Sequence, residues 1–302
     1  MKHRFLKIVF SAIPLALVVV LGVKMAYLHH VREVLAPQFR LSESKNIIAI
    51  GNSHGQDAIN DSILANWANE CRSAEMNFGT YAMLQHLLAE NKIDTLVLPM
   101  IDFYGYDDKS VTTQYLFFET SRLVSADSET LRDLWHQNWG GMVSFMMIND
   151  ISTMLQPIEI GGYQNWHHQG LRAQLTDKEL HLAQAGRTKC PDKPWSQYVL
   201  QRKYMSRILQ LCQQKGVKVV VLNYPKYRYD RYMDLAEVNR YYAAFGDSIT
   251  IADYQDFAFP DTSCYANVTH LNYRGATIFC NHLRHTGLTP QPPTEWIKTS
   301  KK

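Results

Sequence analysis

Two short stretches carry residue types capable of nucleophilic chemistry. Gly51-Asn52-Ser53-His54-Gly55 directly follows the apolar run Asn46-Ile-Ile-Ala-Ile50. A Ser in a tight strand-to-helix turn lies at the carboxyl end of a parallel sheet, where open α/β folds bind their ligands. The first N–H groups of the helix that follows have no intrahelical acceptor and can hold an oxyanion. Gly51 and Gly55 permit an unusual backbone there. Alone, the pentapeptide also suits an ordinary turn with a Ser helix cap. The second stretch is Asn267-Val-Thr-His270-Leu-Asn272-Tyr-Arg-Gly275-Ala276. His270 lies far from Ser53 in sequence but near the end of the same expected sheet. It has the chemistry of a general base for that serine.

Other candidates are weaker. The five cysteines (Cys71, Cys190, Cys212, Cys264 and Cys280) are odd in number. They include no CxxC pair, and no His/Cys group has zinc spacing, so they read as mostly buried thiols. No metal or cofactor signature is present. His167-His168 has the atoms for a metal or substrate, but adjacent residues face different ways on a regular element. The stretch Tyr224-Pro-Lys-Tyr-Arg-Tyr-Asp-Arg-Tyr232 offers aromatic faces and Arg for a sugar or an anion, and equally reads as a solvated amphipathic segment. Asn60-Asp-Ser62 and Asn267-Val-Thr269 match a glycosylation triplet that arises often by chance.

The elements that would position Ser53 and His270 alternate. Asn46–Ile50 reads as a buried strand, Ala58–Asn69 as a helix and Ala74–Phe78 as a second strand. Tyr81–Asn91 reads as a helix and Asp94–Met100 as a third strand. After a break come helix Lys203–Lys215, stopped by Gly216, and strand Val217–Leu222. Helix Leu235–Phe245, strand Ser248–Ala252 and helix Tyr273–Thr286 complete the series. Such alternation predicts a parallel sheet covered on both faces. Between Asp107 and Ser196 the pattern fails. Apolar residues at helical spacing over Leu131–Leu155 predict a largely helical insertion over 107–196.

Ile8–Val23 carries no charge, and the apolar stretch extends over residues 5–27, with Lys2, Arg4 and Lys7 on its amino-terminal side. A helix of about 20 apolar residues spans a bilayer, and flanking lysines snorkel. Positive charge before the run places the N-terminus in the cytoplasm. The run is long for a signal peptide, and Lys24-Met25-Ala26 is a poor cleavage site, so it reads as a retained single-pass anchor. The expected organisation is an anchor and juxtamembrane segment over 1–40, an α/β domain over 41–290 and a tail over 291–302. A net charge of +3 without a basic stripe argues against nucleic acid as a partner, and 46% hydrophobic residues exclude a disordered chain.

On these residues the chain resembles the SGNH (GDSL-like) hydrolase superfamily. More narrowly, it resembles membrane-anchored bacterial members that act on cell-envelope glycans, including the alginate O-acetylation proteins and the D-alanine-transfer protein of teichoic acid synthesis. The resemblance covers roughly 46–102 and 203–285. It implies a three-layer α/β sandwich with a mostly parallel five-stranded sheet, Ser53 as nucleophile and His270 as general base. It also implies an oxyanion hole from Ser53 and from Gly79 in Asn77-Phe78-Gly79. Two positions depart from the family's pattern. Asn267 stands where an Asp normally orients the His, with Asp261 and Asp253 as substitutes. Met100-Ile101-Asp102-Phe103 stands where the third block supplies an oxyanion Asn, with Asn52 and Asn223 as replacements. The activity implied is acyl transfer, as an O-acyltransferase or acylesterase, on a cell-envelope glycan at the outer face of the inner membrane. The main domain would be periplasmic, beside a membrane-bound acyl exporter. The alternative is a non-catalytic scaffold or carbohydrate-binding subunit of an envelope polysaccharide complex.

Overall fold

The computed structural model describes residues 39–73, 75–100, 126–137, 139–140, 174–186, 198–228, 235–246 and 249–288, and before these residues 11–16, 18–20, 22–23, 26 and 29. Five strands, β1 (Ile47–Ala49), β2 (Trp67–Asn69), β3 (Thr95–Pro99), β4 (Lys218–Asn223) and β5 (Ile249–Asp253), form one sheet in the order β2-β1-β3-β4-β5. Every neighbouring pair is parallel. This doubly wound order reverses direction between β1 and β3, and the crevice outside the carboxyl ends of those two strands is where such folds place ligands.

Among the described residues seven helices serve the sheet: α1 (Ser53–Ala58), α2 (Asn77–Glu90), α3 (Ser128–Gln137), α4 (Asp177–Ala185), α5 (Val199–Lys215), α6 (Leu235–Ala243) and α7 (Tyr273–Thr286). Alternation along the strands sorts the core into two layers. Ile48, Leu96, Leu98, Val219 and Val221 pack with Leu84 and Leu87 of α2 and Ile208 and Cys212 of α5. Ala49, Val97, Val220, Leu222 and Ala252 pack with Ala58 of α1 and Phe279, Cys280 and Leu283 of α7. The parallel α/β architecture is that expected from the alternating pattern. Phe39, two residues before the expected domain start, already belongs to the first layer.

One element differs from expectation. No helix covers Ala58–Asn69; α1 ends at Ala58, and the second strand is Trp67–Asn69 rather than Ala74–Phe78. The cause is Asn69. Its buried side-chain amide donates to the carbonyls of Gly55 (3.2 Å), Gln56 (3.3 Å) and Ile59 (2.6 Å), which closes α1 after two turns. Ile59, Leu64 and Trp67, spaced as on a helix, reach the same core layer from a turn and a strand.

The described pieces of the insertion dock on both sides of the sheet. α3 lies against α5, where Lys203 pairs with Asp133 and Arg207 with Glu129, and Tyr204 Oη donates to Asp133 at 2.9 Å. α4 opens with a Thr176–Glu179 capping box. Its Ala183 carbonyl accepts from Arg228 at 3.1 Å. Residues 11–16, 18–20 and 22–23 are helical and exposed. Among the described residues, no helix is long and apolar enough to cross a membrane. Much of the expected span 5–27 lies outside them, as do residues 101–125, His167, His168, Cys190 and the tail from 289. The described cysteines, Cys71, Cys212, Cys264 and Cys280, are buried and form no disulfide among the described residues.

Candidate active site

Ser53 is the first residue of α1, immediately past β1 and at the reversal point of the sheet. Two features make the turn. Gly51 adopts φ +138°, and a Cβ on it would lie 2.5 Å from Pro99 Cδ, so a side chain there is excluded twice over. Asn52 caps α1, its side-chain oxygen accepting from His54 N at 3.1 Å. Gly55 is required as well, because a Cβ there would overlap Cys71 Sγ and lie 2.8 Å from Tyr224 Oη.

His270 arrives on a loop closed at its base by the Tyr265–Leu271 bridge. Asn272 caps α7, accepting from Gly275 N at 3.1 Å and donating to the Ser263 carbonyl at 2.7 Å. A Cβ on Gly275 would overlap the Cys264 carbonyl oxygen. The Leu-Asn-x-x-Gly-Ala sequence after His270 is therefore a packing device that seats α7 against this loop. From the far side, Cys280 Sγ of α7 accepts from Asn60 N at 3.1 Å, just beyond the end of α1. The helix that carries Ser53 and the loop that carries His270 are thus tied to one helix.

The structure brings the two residues together: Ser53 Oγ lies 2.8 Å from His270 Nε2. On the other side of the ring, His270 Nδ1 lies 3.0 Å from Asn267 Oδ1 and 3.0 Å from Thr269 Oγ1. The orientation of the Asn267 amide is fixed by its other partners. The backbone N–H groups of Thr269 (2.9 Å) and His270 (3.0 Å) both point at this atom, and they can only donate, so the atom is the oxygen. An oxygen facing Nδ1 requires the proton on Nδ1. Nε2 then carries the lone pair and accepts the Ser53 hydroxyl proton, which is the tautomer a general base needs.

The two aspartates suggested as substitutes are bonded to other groups. Asp261 is exposed, caps the short 3₁₀ turn Thr262–Cys264 and pairs with Arg274 at 3.0 Å. Hydrogen bonds from Ser263, with Arg274 close by, hold its carboxyl below the ordinary range. Asp253 accepts from Asn223 at 2.8 Å and from Gln255 N at 3.2 Å. Asn223 is committed in turn: its amide also donates to Gln255 at 3.2 Å, and its oxygen accepts from the buried Lys226 at 3.2 Å. With both N–H groups used, it has none to offer an oxyanion. Asn52 holds the capping position, and Gly79 lies buried in the first turn of α2, whose N–H groups have no intrahelical acceptor.

Three features escaped the sequence reading. Thr269 is a second oxygen at Nδ1. His54 is buried with its ring centroid 4.7 Å from that of His270, the planes 30° apart. Asp57 is buried on α1, and desolvation pushes its carboxyl up to about 8. The signal for Thr269 was present as the Asn-x-Thr triplet. Here and at Asn60-Asp-Ser62 that triplet builds a local turn, in which the Asn oxygen accepts the N–H and hydroxyl two residues on. Of the Tyr224–Tyr232 stretch, Tyr224 is buried and Tyr227 packs on Tyr265 with centroids 5.3 Å apart. Tyr227 N also donates to the Val268 carbonyl at 2.8 Å, which braces the His270 loop. Among the described residues, no group of three His, Cys, Asp or Glu could hold a metal ion.

No protein-family profile matches the chain, and no curated protein matches it in sequence. Solved structures do resemble it. One, from Streptococcus pneumonia and provisionally described as a platelet activating factor, is 9% identical with a TM-score of 0.39, covering 90% of this chain and 98% of its own. A provisionally named acylhydrolase from Bacteroides fragilis is 8% identical with a TM-score of 0.38, over 83% of this chain and 92% of its own. A GDSL-like lipase from Bacteroides thetaiotaomicron is 8% identical with a TM-score of 0.37, over 84% and 95%. At this identity and TM-score they carry no argument about the chemistry of this chain. Its fold is defined by its own strand order, and its candidate site by the Ser53–His270–Asn267 geometry.

Proposed function

We propose that this chain is an SGNH-type acyl-transfer enzyme. The observation that carries the reading is the 2.8 Å approach of Ser53 Oγ to His270 Nε2 at the switch point of the sheet, with the ring held in the base tautomer. Ser53 Oγ attacks the carbonyl carbon of an ester as its proton passes to Nε2. The tetrahedral oxyanion is received by the N–H of Ser53, with Gly79 and Asn52 as further donors. His270 returns the proton to the leaving alkoxide, the C–O bond breaks, and an acyl-Ser53 remains. The acceptor, water or a glycan hydroxyl, loses its proton to His270 and takes the acyl group.

The acceptor we favour is a cell-envelope glycan. The supports are the apolar run Ile8–Val23 with Lys2, Arg4 and Lys7 before it, and the resemblance of the two motifs to anchored glycan-acylating proteins. On this reading the chain is anchored in the inner membrane with a cytoplasmic N-terminus and a periplasmic domain. A membrane-bound exporter delivers the acyl group.

Asn267 in place of a carboxylate is the observation that favours a second reading, a scaffold or glycan-binding subunit without turnover. The test is release of acetate from acetylated glycans and small acetyl esters by wild type, Ser53→Ala and His270→Ala. Turnover by wild type, lost in both variants, supports the enzyme. Equal background in all three, with glycan binding retained, supports the scaffold.

A further inference from the structure

At the amino-terminal edge of the sheet, away from the candidate site, described residues line a groove of about 780 Å³. Its floor is built from strand starts: Ile47, Trp67, Thr95 and Lys218 are the first residues of β1, β2, β3 and β4. One wall is residues 63–66, the connection that leads into β2. The other is the end of α7, with Leu283 and Arg284, and then Gly287 and Leu288 beyond it. Ile47, Ile63 and Leu288 are only partly covered by the core layer they pack on, so the lining carries apolar surface.

Two exposed cations stand in this lining, Lys218 and Arg284. No acid is among the described residues that line the groove, and neither cation has an ion-pair partner among the described residues. Asp94, whose carbonyl accepts from Lys218 N at 3.0 Å, gives its carboxylate to the Asn46 amide at 2.7 Å. An apolar trough with two cations fits an amphiphile with an anionic head, and its volume is that of a small-ligand pocket. Its place in the chain says where such a ligand comes from. Asn46, the last residue before β1, donates its N–H to the Asn66 carbonyl of the groove wall at 3.0 Å. The chain therefore reaches the fold beside the groove, downstream of the apolar run Ile8–Val23.

We propose that this groove binds an anionic phospholipid of the membrane. The head phosphate sits on Lys218 and Arg284, and one acyl chain lies along Ile47, Ile63 and Leu288. Bound in this way, the lipid holds the amino edge of the sheet to the bilayer and turns the carboxyl edge, with Ser53 and His270, away from it. The inference rests on the membrane reading of the apolar run and not on the acyl-transfer chemistry.

The test is equilibrium binding of dioctanoyl phosphatidylglycerol and dioctanoyl phosphatidylcholine to the full chain in a neutral detergent. Wild type is compared with Lys218→Gln, Arg284→Gln, the double variant and Ala65→Trp, each first shown to be folded by its thermal transition. Each cation beside an anionic lipid contributes about 5-fold, so phosphatidylglycerol should bind about 30-fold more tightly than phosphatidylcholine. Each single variant should lose about 5-fold of that preference, and the double variant all of it. Ala65 is an exposed part of the groove wall, so Ala65→Trp should fill the groove and weaken both lipids with the cations intact. Equal affinity for the two lipids, a preference that survives the double variant, or undiminished binding in Ala65→Trp overturns the proposal. Competition by inorganic phosphate at the affinity of the lipid overturns it too, since the site would then take a free anion. A full chain that does not sediment with membranes removes the source of the lipid, with the same result. Binding is read without an ester substrate, so failure of the acyl-transfer reading leaves the proposal standing.

Discussion

At the scale of single residues, the chemistry turns on what a neutral amide can do in place of an acid. The Asn267 oxygen is held by two backbone N–H groups, so it cannot rotate to present its NH₂ and force the wrong tautomer on His270. Orientation is therefore preserved at this position, without the charge of an acid. Asn267→Asp should restore the charge, since a carboxylate accepts the same donors. One pKa unit of added stabilisation of the imidazolium corresponds to about tenfold in rate. A neighbouring carboxylate favours the protonated ring, so it raises the His270 pKa. The base is then lost to protonation at higher pH. The expected outcome is a kcat about tenfold higher with the acid limb of the pH–rate profile moved up by about one unit. An unchanged profile would show that position 267 is not electrostatically coupled to the base. Ser53, His270 and the odd Asn267 were all legible in sequence, because each sits at a fixed offset in a short motif. The contacts of His54 and Thr269 with the His270 ring were not, because they depend on which way a ring and a hydroxyl point after the loop closes.

At the scale of elements, the site is a junction of α1, the His270 loop and α7. Asp57 sits within this junction, and burial pushes its carboxyl from 3.8 up to about 8. Between those values the folded chain holds a proton that the unfolded chain has released. Stability contributed at low pH is therefore lost as pH rises from about 4 to about 8, on the order of 1 kcal/mol per pH unit at most. Asp57→Asn removes the titration. Thermal melts at pH 5, 6, 7 and 8 should show a gap in favour of the variant that widens with pH; a constant gap would contradict the assignment. The elements themselves were largely readable: β3, β4, β5 and α7 fall within a residue or two of the periodic pattern. The second strand was not. Three residues long and ending in a buried Asn that caps α1, it has no alternation to detect. The apolar residues around it imitate a helical face because a turn and a strand deliver them to one core layer.

At the scale of the whole molecule, the chain enters the fold at one end of the sheet and its candidate site lies at the other. Phe39 packs into the core beside α2, and Asn91, at the carboxyl end of α2 just before β3, donates to the Phe39 carbonyl at 2.7 Å and accepts from Leu41 N at 2.7 Å. Ser53 and His270 lie at the carboxyl edge of the sheet. A tether at residues 1–38 should therefore be separable from chemistry. On fractionation the full chain should sediment with membranes and require detergent for release. A chain lacking residues 1–35 should stay in solution with the same kcat/KM on small esters. A full chain that is soluble without detergent would remove the anchor from the account.

The central claim is that Ser53 is a nucleophile activated by His270, and the most direct measurement is covalent labelling by a fluorophosphonate, mapped by peptide mass. The account predicts one adduct on Ser53 in the wild-type protein, none in Ser53→Ala and a strongly slowed reaction in His270→Ala. An unlabelled wild type, or labelling at Ser53 that proceeds at the same rate without His270, would contradict it.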